Sequence, residues 1–315
     1  MSRADVIFVE NMKDILENGM STEGLGNRAK WDDGSEAWTK KVFGRCNRYK
    51  VAEEFPALTL RKTALKSAMD EILWIYQKKS NKVADLKSNI WDEWIDENGT
   101  IGAAYGAQVA KRDYRMKIPM EKYTIALKEE LRSGDYPSVF ICENPAENLV
   151  WVAMDQMDAV IWDLKHNPFS RRIMISLWNV SELIDMNLEP CCWNVTFNVT
   201  INPETGKKVL NMALNQRSAD MLTANNWNVA QYALLQMMLA QVCDMEVGEL
   251  MHTIVDMHCY NKHFEMVEEL ITREQFPAPK VRLNPEVKNF YDFTTDDLIV
   301  EDYQAGPQLK IPVAI

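Results

Sequence analysis

Cys191 follows Pro190 at the head of a run in which Trp193, Val195, Phe197 and Val199 alternate with Asn194, Thr196, Asn198 and Thr200. Arg217 lies in the stretch Gln216-Arg217-Ser218-Ala219-Asp220, which ends a second alternating run through Leu210, Met212 and Leu214. A period of two marks two half-buried strands, and Asn202-Pro203-Glu204-Thr205-Gly206 between them reads as a turn. With the turn centred on Glu204 and Thr205, antiparallel partners sum to roughly 409. Cys191 then falls opposite about Ser218, within a residue or two of Arg217. The chemistry on offer is nucleophilic, because the thiolate is the attacking species and a fixed cation lowers a thiol pKa. The competing reading is a buried structural cysteine on a core strand.

Other polar residues stand where they could serve such a nucleophile. Arg171 and Arg172 precede the apolar Ile173-Met174-Ile175, so two cations mark the start of a strand, as surface charges or as an anion site. Asn228 opens an apolar helical stretch and fits either an N-cap or a pyrimidine reader. In the second role its amide accepts from a ring N–H and donates to the adjacent carbonyl, the pattern of uracil and not of cytosine. His258 and Tyr260, two apart on a strand, face one side. Glu71 shares the apolar helix face of Ala68 and Ile75, which makes it a salt-bridged structural acid or a buried proton carrier with a raised pKa. Trp91, Trp94 and Tyr105 read by default as core aromatics. His252, His258 and His263 match no zinc spacing and have no cysteine pair to support one, so no metal is expected.

The elements that must position these residues are mixed. Helical spacing covers 62–78, 123–132 and 155–164, and strands are expected over 173–178 and 190–214. A helix over 229–243 is apolar almost all round, and 264–273 is an amphipathic helix. The fold class is therefore α+β, with a mixed central sheet packed by helices. Glu143-Asn144-Pro145-Ala146-Glu147-Asn148 is the best loop candidate, and no repeat interrupts the chain.

A chain of 315 residues that is 47% hydrophobic can bury a large core, read here as one large domain. The net charge of −11 argues against a nucleic-acid groove, so an anionic ligand would need a local arginine cluster. The stretch 1–19 mixes charged with apolar residues, so neither a signal peptide nor a membrane span is expected, and the reading is cytoplasmic. Six scattered cysteines suit free thiols rather than a disulfide scaffold.

The ordered series Pro190-Cys191, Gln216-Arg217-Ser218-x-Asp220, Asn228-Val229-x-x-Tyr232 and Asp256-x-His258-x-Tyr260 resembles the folate-dependent, cysteine-nucleophile thymidylate synthase family, which includes pyrimidine hydroxymethylases. The likeness runs from near Arg28 to the terminal Pro312-Val313-Ala314-Ile315, interrupted mainly by an inserted or elaborated segment at about 112–162. It implies reductive methylation of dUMP to dTMP, with 5,10-methylenetetrahydrofolate as carbon and hydride donor and no flavin or metal. Cys191 would add to carbon 6 of the base, making carbon 5 nucleophilic. The resemblance assigns nucleotide binding to Arg28, Gln216, Arg217, Ser218, Asn228, His258 and Tyr260. Arg171 and Arg172 would cross a homodimer interface, formed through the sheet, to the partner's phosphate. It assigns water and proton handling to Glu71 and Tyr105, the folate wall to Trp91 and Trp94, the pterin contact to Asp220, and closure of the site to the Ile315 carboxylate.

Several positions depart from the family pattern: Thr223-Ala224 in place of Leu-Gly, Trp227 for Phe, Val255 for Gly and Cys192 for a frequent His. A missing glycine can move backbone near a ligand. Two alternatives therefore stay open: a dUMP hydroxymethylase, in which water captures the methylene intermediate, and a weakly active nucleotide-binding regulatory dimer.

Overall fold

The computed structural model describes residues 1–314. The first half of the chain contains α1 (Arg3–Asn18), β1 (Met20–Ser21), β2 (Thr39–Lys50), α2 (Leu65–Tyr76), α3 (Gly106–Val109), β3 (Tyr114–Pro119), α4 (Ile125–Leu131), β4 (Phe140–Asn144) and β5 (Leu149–Met154). The second half contains α5 (Gln156–His166), β6 (Met174–Ser176), β7 (Cys192–Ile201), β8 (Lys208–Asp220), α6 (Asn225–Val242), β9 (Glu246–Tyr260), α7 (Phe264–Leu270), β10 (Lys280–Leu283) and β11 (Leu298–Glu301).

Six strands form the central sheet in the order β1-β2-β9-β8-β7-β6. Only β8 and β9 pair in parallel, because α6 carries the chain back between them. The mixed sheet packed by helices matches the α+β expectation. Leu210, Met212 and Leu214 of β8 turn one face toward the core, where α2 and α6 pack on each other. Trp74, Leu234, Leu235 and Met238 on those helices are fully buried, each such apolar side chain contributing about 1.5–3 kcal/mol. The opposite sheet face is open, with Phe43 at 88% and Val255 at 52% exposure.

Two local expectations need correction. The buried helix begins at Asn225, with Ala224 at its N-cap, and the Asn228 N–H already donates to the Ala224 carbonyl at 2.9 Å. Asn228 is thus one turn inside α6, and the N-cap reading fails. The β7–β8 register follows the predicted sum from Val195 opposite Leu214 to Ile201 opposite Lys208. A bulge at Trp193 then shifts it by one, so Cys191 lies opposite Arg217 rather than Ser218.

The 112–162 segment builds its own antiparallel sheet, β3-β5-β4, against α5. The predicted loop at 143–148 is the β4–β5 hairpin connection, with Asn148 at φ 54°. The segment is tied to the body through buried Asp158, which accepts from the Ser138 N–H at 2.6 Å and from the Tyr291 hydroxyl. No helix is long and apolar enough to cross a membrane among the described residues.

Candidate active site

Cys191 sits just ahead of β7, held from two sides. Its carbonyl accepts from the Arg217 N–H at 2.9 Å, and its own N–H donates to the Tyr105 hydroxyl at 3.3 Å. The Arg217 guanidinium donates to the carbonyls of Glu189 at 2.7 Å and Pro190 at 3.1 Å, and lies 5.7 Å from the centre of the Trp178 ring. The sequence predicts a lowered thiol pKa, and here the structure corrects it. Burial pushes the Cys191 thiol above its ordinary value, and the neighbouring Arg217 cation opposes that rise without reversing it. All six cysteines are unpaired.

Beside this loop a cavity of about 360 Å³ is lined by Arg28, Lys41, Arg217, Ser218, Asp256, His258 and Tyr260, with Thr22, Asn27, Ala29, Ala37 and Thr39. Five of the predicted nucleotide-binding residues therefore meet in one place. Its three cations face one carboxylate, Asp256, which Lys41 contacts at 2.7 Å and His258 at 2.9 Å. A net-positive cavity in a chain of charge −11 suits a phosphate. Arg171 and Arg172 are exposed ahead of β6 and do not line the cavity. The elaborated 112–162 segment contributes nothing to its wall.

Glu71 is buried on α2 and makes no ion pair among the described residues. Two indoles hold it instead: Trp91 Nε1 donates to Oε1 at 2.8 Å and Trp227 Nε1 to Oε2 at 2.5 Å. Burial raises its pKa from 4.5 to about 7, against the pull of the Trp227 and Trp91 donors. Of the two sequence readings, the salt-bridged acid finds no ion-pair partner among the described residues. Trp94, Trp91 and Tyr105 pack edge to face in sequence, with centroids 5.6 and 5.0 Å apart, so an aromatic wall leads from the half-buried Trp94 to the hydroxyl above Cys191. Tyr105 adopts φ 46°, a strained value for a side-chain-bearing residue. The next residue, Gly106, packs so closely that a Cβ would sit 2.1 Å from the Ser80 carbonyl oxygen.

Gln216 faces the core rather than the cavity. Its Nε2 donates to the Ser218 carbonyl at 2.9 Å and to Asn228 Oδ1 at 3.2 Å, and Asn228 Nδ2 donates to Gln231 Oε1 at 3.2 Å. Asp220 caps its own turn, accepting from the Leu222 and Thr223 N–H groups and from the Thr223 hydroxyl at 2.5 Å. His263, fully buried, meets the Pro312 carbonyl at 2.8 Å through Nε2, and its Nδ1 lies 4.0 Å from Asp220. Ile315 itself lies outside the described residues.

The departures from the family pattern resolve differently. Trp227 supplies a second donor to Glu71 that phenylalanine lacks. Val255 points out of the open sheet face, opposite the irregularity at Gly44 in β2, and does not line the cavity. Cys192 is buried. Sequence reasoning missed Lys41, which carries no local signal, and the core residues His252, Gln231 and His263, whose roles depend on contacts distant in the chain. Asp256 was legible in the Asp-x-His motif.

No group of three or more His, Cys, Asp or Glu side chains suited to a metal occurs among the described residues. The family model for thymidylate synthase matches residues 6–315. Thymidylate synthase 1 of Bacillus spizizenii and thymidylate synthase 1 of Bacillus subtilis are each 38% identical over 319 residues, covering all of both chains. The thymidylate synthase of Bacillus phage phi3T is 37% identical over the same span. Among solved structures, thermostable thymidylate synthase A from Bacillus subtilis superimposes with a TM-score of 0.83 at 38% identity, covering 99% of each chain. Similarity that extends along whole chains accounts for the cysteine loop, the cationic cavity and the sheet between them at once, and this chain belongs to the thymidylate synthase family.

Proposed function

We propose that Cys191 is the nucleophile in a thymidylate synthase reaction that converts dUMP to dTMP. The observation that carries this reading is a net-positive cavity whose wall residue Arg217 is hydrogen-bonded to Cys191 itself. Arg28, Arg217 and Ser218 bind the nucleotide phosphate, and His258 with Tyr260 take the sugar hydroxyl. Asn228, oriented by Gln216, reads the pyrimidine edge. Phosphate binding beside Arg217 brings the base over the buried thiol, and attack at carbon 6 makes carbon 5 nucleophilic.

5,10-Methylenetetrahydrofolate supplies the carbon unit and then the hydride, leaving as dihydrofolate. The aromatic wall of Trp91 and Trp94 suits a flat pterin, and Asp220 offers it a carboxylate. Glu71, with a pKa near 7, can hold or release a proton at working pH, and Tyr105 orients water beside the base. The tail that His263 anchors, ending in the Ile315 carboxylate, closes the site and excludes water.

On this reading the chain is a single cytoplasmic domain elaborated at 112–162. It pairs with a second copy across the open sheet face, which offers Arg171 and Arg172 to the partner's phosphate. Mass analysis of the nucleotide formed from dUMP and methylenetetrahydrofolate, with dihydrofolate followed by absorbance, tests the reading. A methylated product with dihydrofolate supports it, whereas a hydroxymethylated product with tetrahydrofolate overturns it in favour of hydration.

A further inference from the structure

His252 lies fully buried in the middle of β9, where its Nε2 meets Gln216 Oε1 at 2.8 Å. Its other ring nitrogen, Nδ1, has no partner. Gln216 is itself buried, with its Nε2 on the Ser218 carbonyl. A carbonyl only accepts, so this contact decides which end of the Gln216 amide is the NH2 group. The other end, Oε1, is therefore an acceptor aimed at the imidazole, and it requires a proton on His252 Nε2. Burial drives the ring pKa down to about 3, so His252 is neutral and carries a single proton. The unpartnered Nδ1 is the bare acceptor left by that tautomer.

The chain of bonds continues into the pyrimidine reader. Gln216 occupies one lone pair of Asn228 Oδ1, and Gln231 occupies one proton of Asn228 Nδ2. One acceptor site and one donor site remain free, in a fixed order. Uracil presents an N–H and a carbonyl to that pair, and both match. Cytosine presents a bare ring nitrogen and an amino group, which set lone pair against lone pair and proton against proton. An amide turned over by half a rotation would accept cytosine and refuse uracil.

We propose that His252 is a specificity-determining positioning residue: by donating from Nε2 to Gln216, it locks the Asn228 amide in the orientation that selects uracil over cytosine. Without that donor, Gln216 Oε1 is a buried acceptor with no partner, and the Ser218 carbonyl alone is left to hold the order of the Gln216 and Asn228 amides. The inference rests on Asn228 being the pyrimidine reader.

The test compares the wild-type enzyme with His252→Phe and His252→Gln, measuring kcat/KM for dUMP and dCMP and the Kd of each nucleotide without folate. The expected result is a fall of at least about tenfold in the dUMP-to-dCMP preference for His252→Phe, with most of it retained in His252→Gln, which still offers an N–H. A residue with a purely packing role would lower the melting temperature and leave the preference unchanged. An unchanged preference in His252→Phe, or equal losses in both variants, overturns the inference. Wild-type enzyme that binds dCMP as well as dUMP overturns the reading of Asn228 instead. Should His252→Phe fail to fold, nitrogen-15 NMR of wild-type enzyme decides: the Nε2–H tautomer supports the inference, and the Nδ1–H tautomer ends it.

Discussion

Arg217 hydrogen-bonds to Cys191 through its backbone, at 2.9 Å, while its side chain holds the carbonyls of the two residues immediately before the thiol, Glu189 and Pro190. The residue that brings the cation is also the residue that fixes the loop carrying Cys191. Charge and position at the thiol are thereby coupled through a single side chain, and a ligand phosphate competing for that guanidinium would act on both.

Cys191→Ala should abolish turnover, by at least about 10⁴-fold, while dUMP binding survives within a few-fold, because the cavity wall does not include the thiol. Arg217→Ala should slow alkylation of Cys191 roughly tenfold at neutral pH, since the cation opposing its burial is lost. Alkylation must be read peptide by peptide, because Cys46 and Cys142 are exposed. Persistent turnover in Cys191→Ala would remove the nucleophile assignment.

The parts of this site that were legible in the sequence were those set by local repetition. The alternation from Trp193 to Val199 and the turn at 202–206 gave the hairpin and its sum of about 409. The bulge at Trp193 was not legible, because nothing in the alternation distinguishes an extra residue at the strand's start from the strand itself. The sign of the Cys191 pKa shift was missed for a related reason: sequence proximity revealed the cation, whereas burial depends on everything packed around the loop. Glu71 was legible as an acid on an apolar face, but its two indole donors lie 20 and 156 residues away.

Glu71 should make stability pH-dependent. Its folded-state pKa of about 7 exceeds the ordinary 4.5, so the folded protein holds a proton that the unfolded chain releases. The associated stability is fully present below pH 4.5 and is lost as pH rises to about 7, amounting to about 3 kcal/mol. Glu71→Gln should flatten the profile in that window and lower turnover. Trp227→Phe should move the pH–rate limb that reports Glu71 ionisation upward, because it removes a donor that favours the carboxylate. Denaturant melts between pH 4.5 and 8 and a pH–rate series check both. A profile unchanged in Glu71→Gln would mean that Glu71 is not the titrating group.

Shared active sites should reveal themselves by complementation. On the proposed reading, Cys191→Ala lacks the nucleophile, and the double variant Arg171→Ala, Arg172→Ala lacks the two exposed cations offered to a partner. Mixing the two inactive proteins after dissociation should restore about one quarter of wild-type activity, because half the dimers are mixed and each then has one intact site. No recovery, with mixed dimers demonstrated by mass, would confine both arginines to their own chain.

His263 links the tail to Asp220, with Nε2 2.8 Å from the Pro312 carbonyl and Nδ1 4.0 Å from the Asp220 carboxylate. The ring is fully buried and packs edge to face with Trp31 and Tyr260, so His263→Phe keeps the aromatic contacts and removes the donor to the tail. Losing one such bond, about 1 kcal/mol, should raise the methylenetetrahydrofolate KM about fivefold and leave the dUMP Kd unchanged. A tail held less firmly also admits water, so hydroxymethylated nucleotide should appear beside the methylated product. Steady-state kinetics in folate and mass analysis of the nucleotide pool measure both effects. If KM and product remain those of the parent enzyme, closure does not depend on the His263 anchor.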